Sequence, residues 1–92
     1  MRFEWDDEKA VSNLKVHGVS FGEATEVFYD PNALEGYDVN HSTSEDRFFI
    51  IGLSSRRFLY VVYAEHKEAV VRIISARRAV AKEQKDYEQT RR

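Results

Sequence analysis

The longest apolar segments of the chain lie in its second half and predict a three-stranded meander. Residues 47–53, 58–64 and 70–74 are short and rich in β-branched and aromatic side chains, which is typical of strands. The polar segments 54–57 and 65–68 between them are short, so consecutive strands should pair antiparallel. Both faces of these strands are apolar, which indicates that each face is at least partly covered.

The first half of the chain predicts two helices. Residues 8–17 carry apolar side chains at helical spacing, and Gly18 can end this helix in the left-handed conformation. Ser20 and Glu23 have the Ser-x-x-Glu spacing of a capping box, and the apolar residues from there on recur on one helical face. Pro31 disfavours helix at the residue before it, so the second helix should end there.

The last part of the chain predicts a strand that runs directly into a helix. After Ile74 the residues are mostly Ala, Arg, Lys, Glu and Gln, which favour helix through residue 89. Ser75 lies where the pattern changes, and its hydroxyl can cap the first helical turn. This prediction places Arg77 in the first turn, next to free backbone amides of the kind that bind anions.

Two weaker segments complete the pattern. Residues 3–5 alternate and predict a brief strand, and a second strand is predicted around Tyr37 and Val39. Residues 41–46 are polar and predict a loop. The resulting order predicts an α+β fold, with an antiparallel β-sheet meander, two N-terminal helices and one C-terminal helix.

Composition excludes several classes of protein. The 92 residues are 42% apolar and 13% aromatic, so the chain can form a core as a single domain over residues 1–92. The absence of cysteine excludes a disulfide scaffold, a thiolate metal site and a cysteine nucleophile. No apolar run approaches the ~18–20 residues that span a bilayer, and the N-terminus has no signal-peptide pattern. We therefore expect a soluble, cytoplasmic protein without a membrane partner.

Charge is distributed unevenly along the chain. Residues 1–55 contain 4 Lys or Arg and 11 Asp or Glu, a net charge of −7, whereas residues 56–92 contain 10 and 5, a net charge of +5. The two halves can neutralise each other across the fold. Alternatively, the basic half can present a surface to a polyanion or to an acidic partner. Composition alone does not choose between these two explanations.

Short motifs follow one another in a specific order along essentially the whole chain. They are Phe3-Glu4-Trp5-Asp6, Asn13 with His17-Gly18-Val19-Ser20-Phe21, Glu23-Ala24, Phe28 with Asp30-Pro31, Glu45 with Arg47, Gly52, Arg72-Ile73-Ile74-Ser75-Ala76-Arg77 with Ala79 and Glu83, and Tyr87. This ordered set resembles the BrnT family. Members of that family usually carry Lys directly before the His-Gly pair, where this chain has Val16, with Lys15 one residue earlier.

The resemblance implies a fold, an activity and a partner. It implies a RelE-like fold and a toxin of a type II toxin–antitoxin module, which acts as a ribonuclease and halts translation. It also implies a small DNA-binding antitoxin, BrnA, which holds the toxin inactive. The complex of the two would repress its own operon, so that operator DNA is bound only through the complex.

Residue chemistry suggests how such a chain could cleave RNA. Cleavage without metal needs a base for the 2′-hydroxyl, cations for the charge at phosphorus and an acid for the leaving oxygen. The three histidines lack the spacing of metal ligands and there is no Gly-rich phosphate loop, so we predict no metal site and no cofactor. The candidate catalytic residues are His17, Arg47, Arg72, Arg77 and Glu83, and the candidate substrate-binding residues are Lys15, Arg78 and Tyr87.

Each of these residues also has a structural explanation. His17 can cap the end of the first predicted helix, and the arginines can pair with acidic residues elsewhere in the chain. Glu83 and Tyr87 are four residues apart and share one helical face, which can be an ordinary surface or packing face. Two other functions also stay open. One is a RelE-fold toxin that acts on a protein, as ParE-type gyrase poisons do, and the other is a non-catalytic partner-binding module.

Overall fold

The computed structural model shows an α+β fold and describes residues 1–42, 44–67 and 69–90. The side chain of His41 lies outside the described part, as do Thr43 of the predicted loop and Glu68 of the predicted turn. None of the described helices is long and apolar enough to cross a membrane. The elements are β1 (Arg2–Glu4), α1 (Asp7–His17), α2 (Phe21–Glu26) with a 3₁₀ turn (Val27–Tyr29), β2 (Leu34–Tyr37) with a 3₁₀ turn (Val39–His41), β3 (Phe48–Leu53), β4 (Phe58–His66), β5 (Val70–Arg78) and α3 (Ala81–Thr90).

The five strands form one sheet in the order β1-β5-β4-β3-β2. Strands β2 to β5 pair antiparallel, which confirms the predicted meander and adds β2 at one edge. Strand β1 lies at the other edge and pairs parallel to β5, with Phe3 opposite Val71. The sheet is therefore mixed rather than wholly antiparallel. Strand direction depends on where the helices return the chain, so a three-residue pattern could not predict it.

Strand β5 is longer than the sequence pattern predicts. It covers Val70–Arg78, and α3 begins only at Ala81. Ser75 pairs with Val62 in the ladder between β5 and β4, so it does not cap a helix. The predicted helix start after Ser75, with Arg77 in the first helical turn, is therefore wrong. Pairing with β4 satisfies the backbone groups of this segment and overrides its helix propensity, which is only a weak preference.

The two N-terminal helices lie where the sequence predicts, except that α2 ends at Glu26 and the rest of the predicted segment is a 3₁₀ turn through Tyr29. The Asp6 carboxylate accepts a hydrogen bond from the Lys9 N–H at 3.1 Å and caps the start of α1. Gly18 ends this helix with a φ of 70°, the left-handed conformation that glycine adopts without strain. The Ser20 hydroxyl accepts from the Glu23 N–H at 3.0 Å and caps α2. The contacts at Gly18 and Ser20 confirm the predicted caps.

Helices cover both faces of the sheet. Ile50 and Ile51 are consecutive in β3 and therefore contribute to opposite faces. Helices α1 and α2 pack on the face of Ile50, whose core comprises Val19, Phe21, Ala24, Val27, Ile50, Leu59, Val61, Tyr63, Val71, Ile73 and Ala76. Helix α3 packs on the other face against β2 and β3, around Ile51, Ala79 and Tyr87. The apolar pattern on both faces of the strands is explained by these two layers.

A partly buried ion pair joins the acidic half of the chain to the basic half. Arg57 donates from Nε and Nη2 to the Glu23 carboxylate at 3.0 and 2.9 Å, and its Nη2 also donates to the Gly18 carbonyl at 2.8 Å. The Ser54 hydroxyl donates to the same carboxylate at 2.8 Å. The hydrogen bond from Arg57 lowers the pKa of Glu23 and outweighs burial, which raises it. Part of the charge asymmetry is thus neutralised within the fold.

This pair predicts a specific dependence of stability on pH. Because the folded state holds the pKa of Glu23 below its ordinary value of 4.5, its contribution is fully present above that value and is lost as pH falls through the lowered pKa. We expect Glu23→Gln to lower the free energy of unfolding at pH 7 by no more than about 1 kcal/mol, because Arg57 loses a charged partner at a site that solvent partly screens. The difference from the wild type should shrink below pH 4.5 in urea unfolding. Glu88→Gln, at an exposed position of α3, is the control and should show no such trend.

Candidate active site

A cleft of about 420 Å³ opens between the end of α1, the turn after β2 and the strands β4 and β5. It brings together residues that are far apart in sequence. They are His17, Asp38, Asn40, Tyr60, Val62, Ser75, Arg77 and Glu83. The cleft therefore contains three of the predicted catalytic residues, His17, Arg77 and Glu83, together with polar groups that sequence reasoning did not select.

The register of β4 and β5 fixes one wall of the cleft. Tyr60 lies opposite Arg77, and Val62 lies opposite Ser75, so strand alternation places all four side chains on the same face of the sheet. The Arg77 guanidinium lies over the Tyr60 ring, with Cζ 4.3 Å from the ring centroid. The Tyr60 ring in turn stacks on Phe49, with centroids 5.5 Å apart and planes 9° apart. Arg77 is therefore held on a rigid aromatic platform.

A two-point ion pair fixes the orientation of Arg77. Its Nη1 and Nη2 donate to the two carboxylate oxygens of Glu83 at 2.9 and 2.8 Å. Glu83 also accepts from the Val80 N–H at 2.9 Å, which is the contact that the third residue of a helix makes in a capping box. Glu83 therefore connects the end of β5 to the start of α3.

The two members of this pair keep their charges at neutral pH. Burial raises the pKa of Glu83, but the hydrogen bonds from Arg77 and from the Val80 N–H outweigh it, so the pKa is lower than usual. The hydrogen bond to Glu83 raises the pKa of Arg77, against the effect of burial. Glu83 is therefore a weak proton acceptor, and Arg77 is a permanent cation.

Arg77 retains donors for a ligand. A guanidinium has five N–H groups, and the described residues engage three of them, two through Glu83 and one through the Arg78 carbonyl at 3.1 Å. The Nε–H and one Nη2 N–H remain available on a side chain that is 37% exposed. Such a pair of donors matches the oxygens of a phosphate group.

Tyr60 contributes a hydroxyl that stays protonated. Burial, followed by the negative charges of Asp38 and Glu83, raises its pKa, and Arg77 opposes this only in part. Within the described residues the hydroxyl makes no hydrogen bond. Sequence reasoning placed Tyr60 in a strand but not in the site, because its position beside Arg77 depends on the register of β4 against β5.

His17 is positioned by a buried amide. It is the last residue of α1, and its imidazole is exposed at the cleft. Asn13, four residues earlier, is 7% exposed and donates from Nδ2 to the carbonyls of Ala76 at 2.8 Å and Val19 at 3.0 Å. Its Oδ1 accepts from the Ala76 N–H at 3.1 Å. Asn13 thus forms hydrogen bonds with the part of the β5 edge that β1 does not cover. These bonds fix the end of α1 next to Arg77.

The sequence model described as "Ribonuclease toxin, BrnT, of type II toxin-antitoxin system" matches residues 5–83. The chain belongs to the BrnT family. The match includes the cleft residues His17, Tyr60, Arg77 and Glu83. A family of type II toxins implies an antitoxin as partner.

The fold agrees with a solved member of the BrnT family. The structure is similar to the 1.1 Å crystal structure of the Brucella abortus ribonuclease toxin BrnT, with a TM-score of 0.68 and 20% sequence identity. The similarity covers 87% of this chain and 97% of the Brucella chain. It supports the α+β fold predicted from the sequence. No curated protein sequence matches the chain significantly.

Two arginines of the BrnT-like motif set lie outside the cleft. Arg72 is on the same sheet face as Arg77 but lies opposite Ala64, further along β4. Arg47 directly precedes β3, and its Nε lies 3.8 Å from a Glu45 carboxylate oxygen. Neither side chain lines the cleft. The structure therefore separates these two predicted catalytic residues from His17, Arg77 and Glu83.

The three predicted substrate-binding residues are also outside the cleft. Lys15 lies about 200° around α1 from the buried Asn13, at about 100° per residue, and so faces away from β5. Arg78 follows Arg77 in β5 and points to the opposite face of the sheet. Tyr87 is only 1% exposed. Its hydroxyl donates to Asp30 at 2.8 Å, and its ring packs edge-on against another aromatic side chain in the second core.

Tyr87 should therefore support stability rather than RNA binding. We expect Tyr87→Phe to lower the free energy of unfolding by about 1 kcal/mol, through loss of the hydrogen bond to Asp30. The melting temperature should fall by roughly 4–8 °C, which calorimetry can measure. RNA cleavage per folded molecule should stay at the wild-type rate. A loss of cleavage in a variant that remains fully folded would contradict this assignment.

Proposed function

We propose that this chain is an endoribonuclease toxin that cleaves RNA without metal and inhibits translation in the cytoplasm. One observation carries the proposal. In a chain of the BrnT family, a single cleft unites the His17 imidazole, a protonated Tyr60 hydroxyl and an Arg77 cation with free donors. These are the three kinds of group that RNA cleavage by the 2′-hydroxyl requires.

The proposed reaction transfers the phosphate within the RNA strand. The 2′-oxygen bonds to the adjacent phosphorus while the bond from phosphorus to the 5′-oxygen breaks, leaving a 2′,3′-cyclic phosphate and a 5′-hydroxyl. His17 takes the proton of the 2′-hydroxyl, and Tyr60 gives a proton to the departing 5′-oxygen. Water then carries the proton from His17 back to Tyr60. Arg77 donates hydrogen bonds to the phosphate oxygens, where negative charge builds up.

Glu83 acts through Arg77 in this scheme. Its lowered pKa makes it a poor base at neutral pH, and both of its oxygens are engaged by Arg77. We propose that it is a positioning residue, which holds the guanidinium parallel to the wall of the cleft. Arg77 is then already oriented before RNA binds, so binding loses less conformational entropy.

The proposed reaction uses only side chains of the cleft and needs no metal ion. Among residues 1–42, 44–67 and 69–90, no three His, Asp or Glu side chains come together as a metal site. We expect purified protein to cleave an unstructured RNA at the same rate in EDTA and in Mg²⁺, with 2′,3′-cyclic phosphate ends detectable by mass spectrometry. Loss of cleavage in EDTA that Mg²⁺ or Mn²⁺ restores would refute the metal-independent mechanism. A protein that cleaves no RNA but still binds a partner would instead be a non-catalytic module.

We further propose that the partner is a BrnA-like antitoxin, which covers the cleft and represses the operon together with the toxin. Support comes from the family, because a type II toxin is paired with a protein antitoxin. Co-expression with the small neighbouring reading frame should restore growth, and the two chains should co-purify. The purified pair should bind the operator DNA, and this chain alone should not. A neighbour that neither restores growth nor co-purifies would refute the pairing.

A further inference from the structure

A second groove continues from the cleft along α1. It has a volume of about 200 Å³ and is lined by Lys9, Ser12, Asn13, Val16, His17 and Ile74. His17 lines both cavities, and the consecutive residues Ile74 and Ser75 each line one of them. The cleft and the groove therefore adjoin at the His17 side chain.

The groove has the polarity that a nucleotide requires. Lys9 and His17 lie four residues before and after Asn13, so they flank it on the helix face that meets β5, about 12 Å apart along the axis. In the described part of the chain, the Lys9 ammonium makes no ion pair and the Ser12 hydroxyl makes no hydrogen bond. Both groups are thus available to a phosphate.

The remaining walls of the groove are apolar. Val16 is 70% exposed and lines the groove, so its apolar side chain is accessible to a ligand there. Ile74 is the extra residue of a β-bulge, since Ser75 pairs with Val62 while Ile73 pairs with Tyr63. Bulges redirect side chains next to active sites, and this one places Ile74 in the groove rather than in the ladder. The two side chains offer an apolar surface to a base.

We propose that this groove binds the RNA strand on the 5′ side of the cleavage site, with Lys9 on the phosphate and Val16 and Ile74 against the base. The inference rests on the proposed function. If His17 accepts the proton of the 2′-hydroxyl, it contacts the nucleotide on the 5′ side of the broken bond. The strand beyond that nucleotide then continues past His17 into the groove.

Chimeric oligonucleotides test this strand direction directly. A single ribonucleotide within DNA can be cleaved only at its own 2′-hydroxyl, so deoxynucleotides can be added on either side without creating a new cleavage site. All four bases should be used at the ribonucleotide, and kcat/KM should be measured for the core and for its 5′- and 3′-extended forms. We expect 5′ extension to raise kcat/KM for the wild type and Lys9→Ala to abolish that gain, while the effect of 3′ extension stays the same in both proteins.

Salt dependence provides a second measurement. Lys9→Ala should reduce the slope of log affinity against log salt for the 5′-extended oligonucleotide by about 0.7, the contribution of one phosphate contact to a single strand. Lys85→Ala, an exposed lysine on α3, is the matched control and should change neither the slope nor the 5′ gain. Circular dichroism should be native for both variants, because both side chains are exposed.

The outcomes separate this inference from the proposed function. A Lys9→Ala variant that keeps the full 5′ gain, or that loses the 3′ effect instead, overturns the inference while leaving RNA cleavage intact. Loss of the 5′ gain in Lys15→Ala rather than in Lys9→Ala also overturns it, because the strand would then run along the other side of α1. If the chimeras are not cleaved, their binding to the protein is measured instead. Equal affinity and equal salt slope for the wild type and Lys9→Ala would then overturn the proposal that the groove binds RNA. Failure to cleave any RNA refutes the proposed function separately.

Discussion

Arg77→Ala should lower the rate of RNA cleavage by about 100- to 1000-fold, the usual loss when one preorganised donor to a developing negative charge is removed. The expectation follows from the geometry of the cleft. The Tyr60 ring and the Glu83 carboxylate fix the guanidinium, and two of its donors remain for phosphate. Single-turnover cleavage of an unstructured RNA measures the effect, and growth arrest on expression should disappear with it.

Controls separate the charge of Arg77 from its structural role. Arg78→Ala removes the neighbouring arginine, which points to the opposite sheet face, and should leave the rate within a few-fold of wild type. Arg77→Ala leaves Glu83 without its cationic partner, and the double variant with Glu83→Ala, which also removes the cap on the Val80 N–H, should be equally inactive. An Arg77→Ala protein with native circular dichroism and undiminished cleavage would show that Arg77 serves only the fold.

Asn13→Leu should cause the largest loss of stability among single substitutions in α1. The change leaves the N–H and carbonyl of Ala76 and the carbonyl of Val19 without their partner in a buried position. Each unsatisfied group is costly, so we expect a loss of about 2–4 kcal/mol in the free energy of unfolding. For a chain of this length that corresponds to a fall of roughly 10–25 °C in melting temperature.

The same substitution should also impair catalysis in the molecules that remain folded. His17 ends the helix that Asn13 fixes to β5, so loss of the anchor allows the imidazole to move away from Arg77. Urea unfolding and cleavage per folded molecule measure the two effects separately. Ser12→Ala, the exposed neighbour in the same helix, should change stability by no more than about 0.5 kcal/mol. A wild-type unfolding free energy for Asn13→Leu would mean that the edge of β5 does not depend on this side chain.

The motif residues that carry the resemblance to the BrnT family divide into two groups in the structure. His17, Arg77 and Glu83 line the cleft. Others hold the fold together. Asn13 pairs with the edge of β5, and Asp30 accepts both the Leu53 N–H at 2.9 Å and the Tyr87 hydroxyl. A motif identifies residues that matter, but only their surroundings decide whether a residue serves chemistry or stability.

The elements with local causes follow from the amino-acid sequence alone. The capping contacts at Ser20 and Gly18 involve residues close in sequence, and the apolar runs of β3 and β4 are strong enough to form strands in most contexts. The chemical types of His17, Arg77 and Glu83 were likewise sufficient to select them as candidates for RNA cleavage. These predictions depend on side-chain chemistry and short-range spacing, which the sequence contains in full.

Other features depend on which distant segments meet in the folded chain. Pairing with β4 extended β5 through Arg78, which placed Arg77 over Tyr60 rather than at a helix start. The same register moved Arg72 away from the cleft, and packing on the second sheet face buried Tyr87. Cross-strand pairing and burial each outweigh local propensity, whose differences amount to less than about 1 kcal/mol per residue. Their outcome depends on contacts between distant segments, which no local pattern in the sequence specifies.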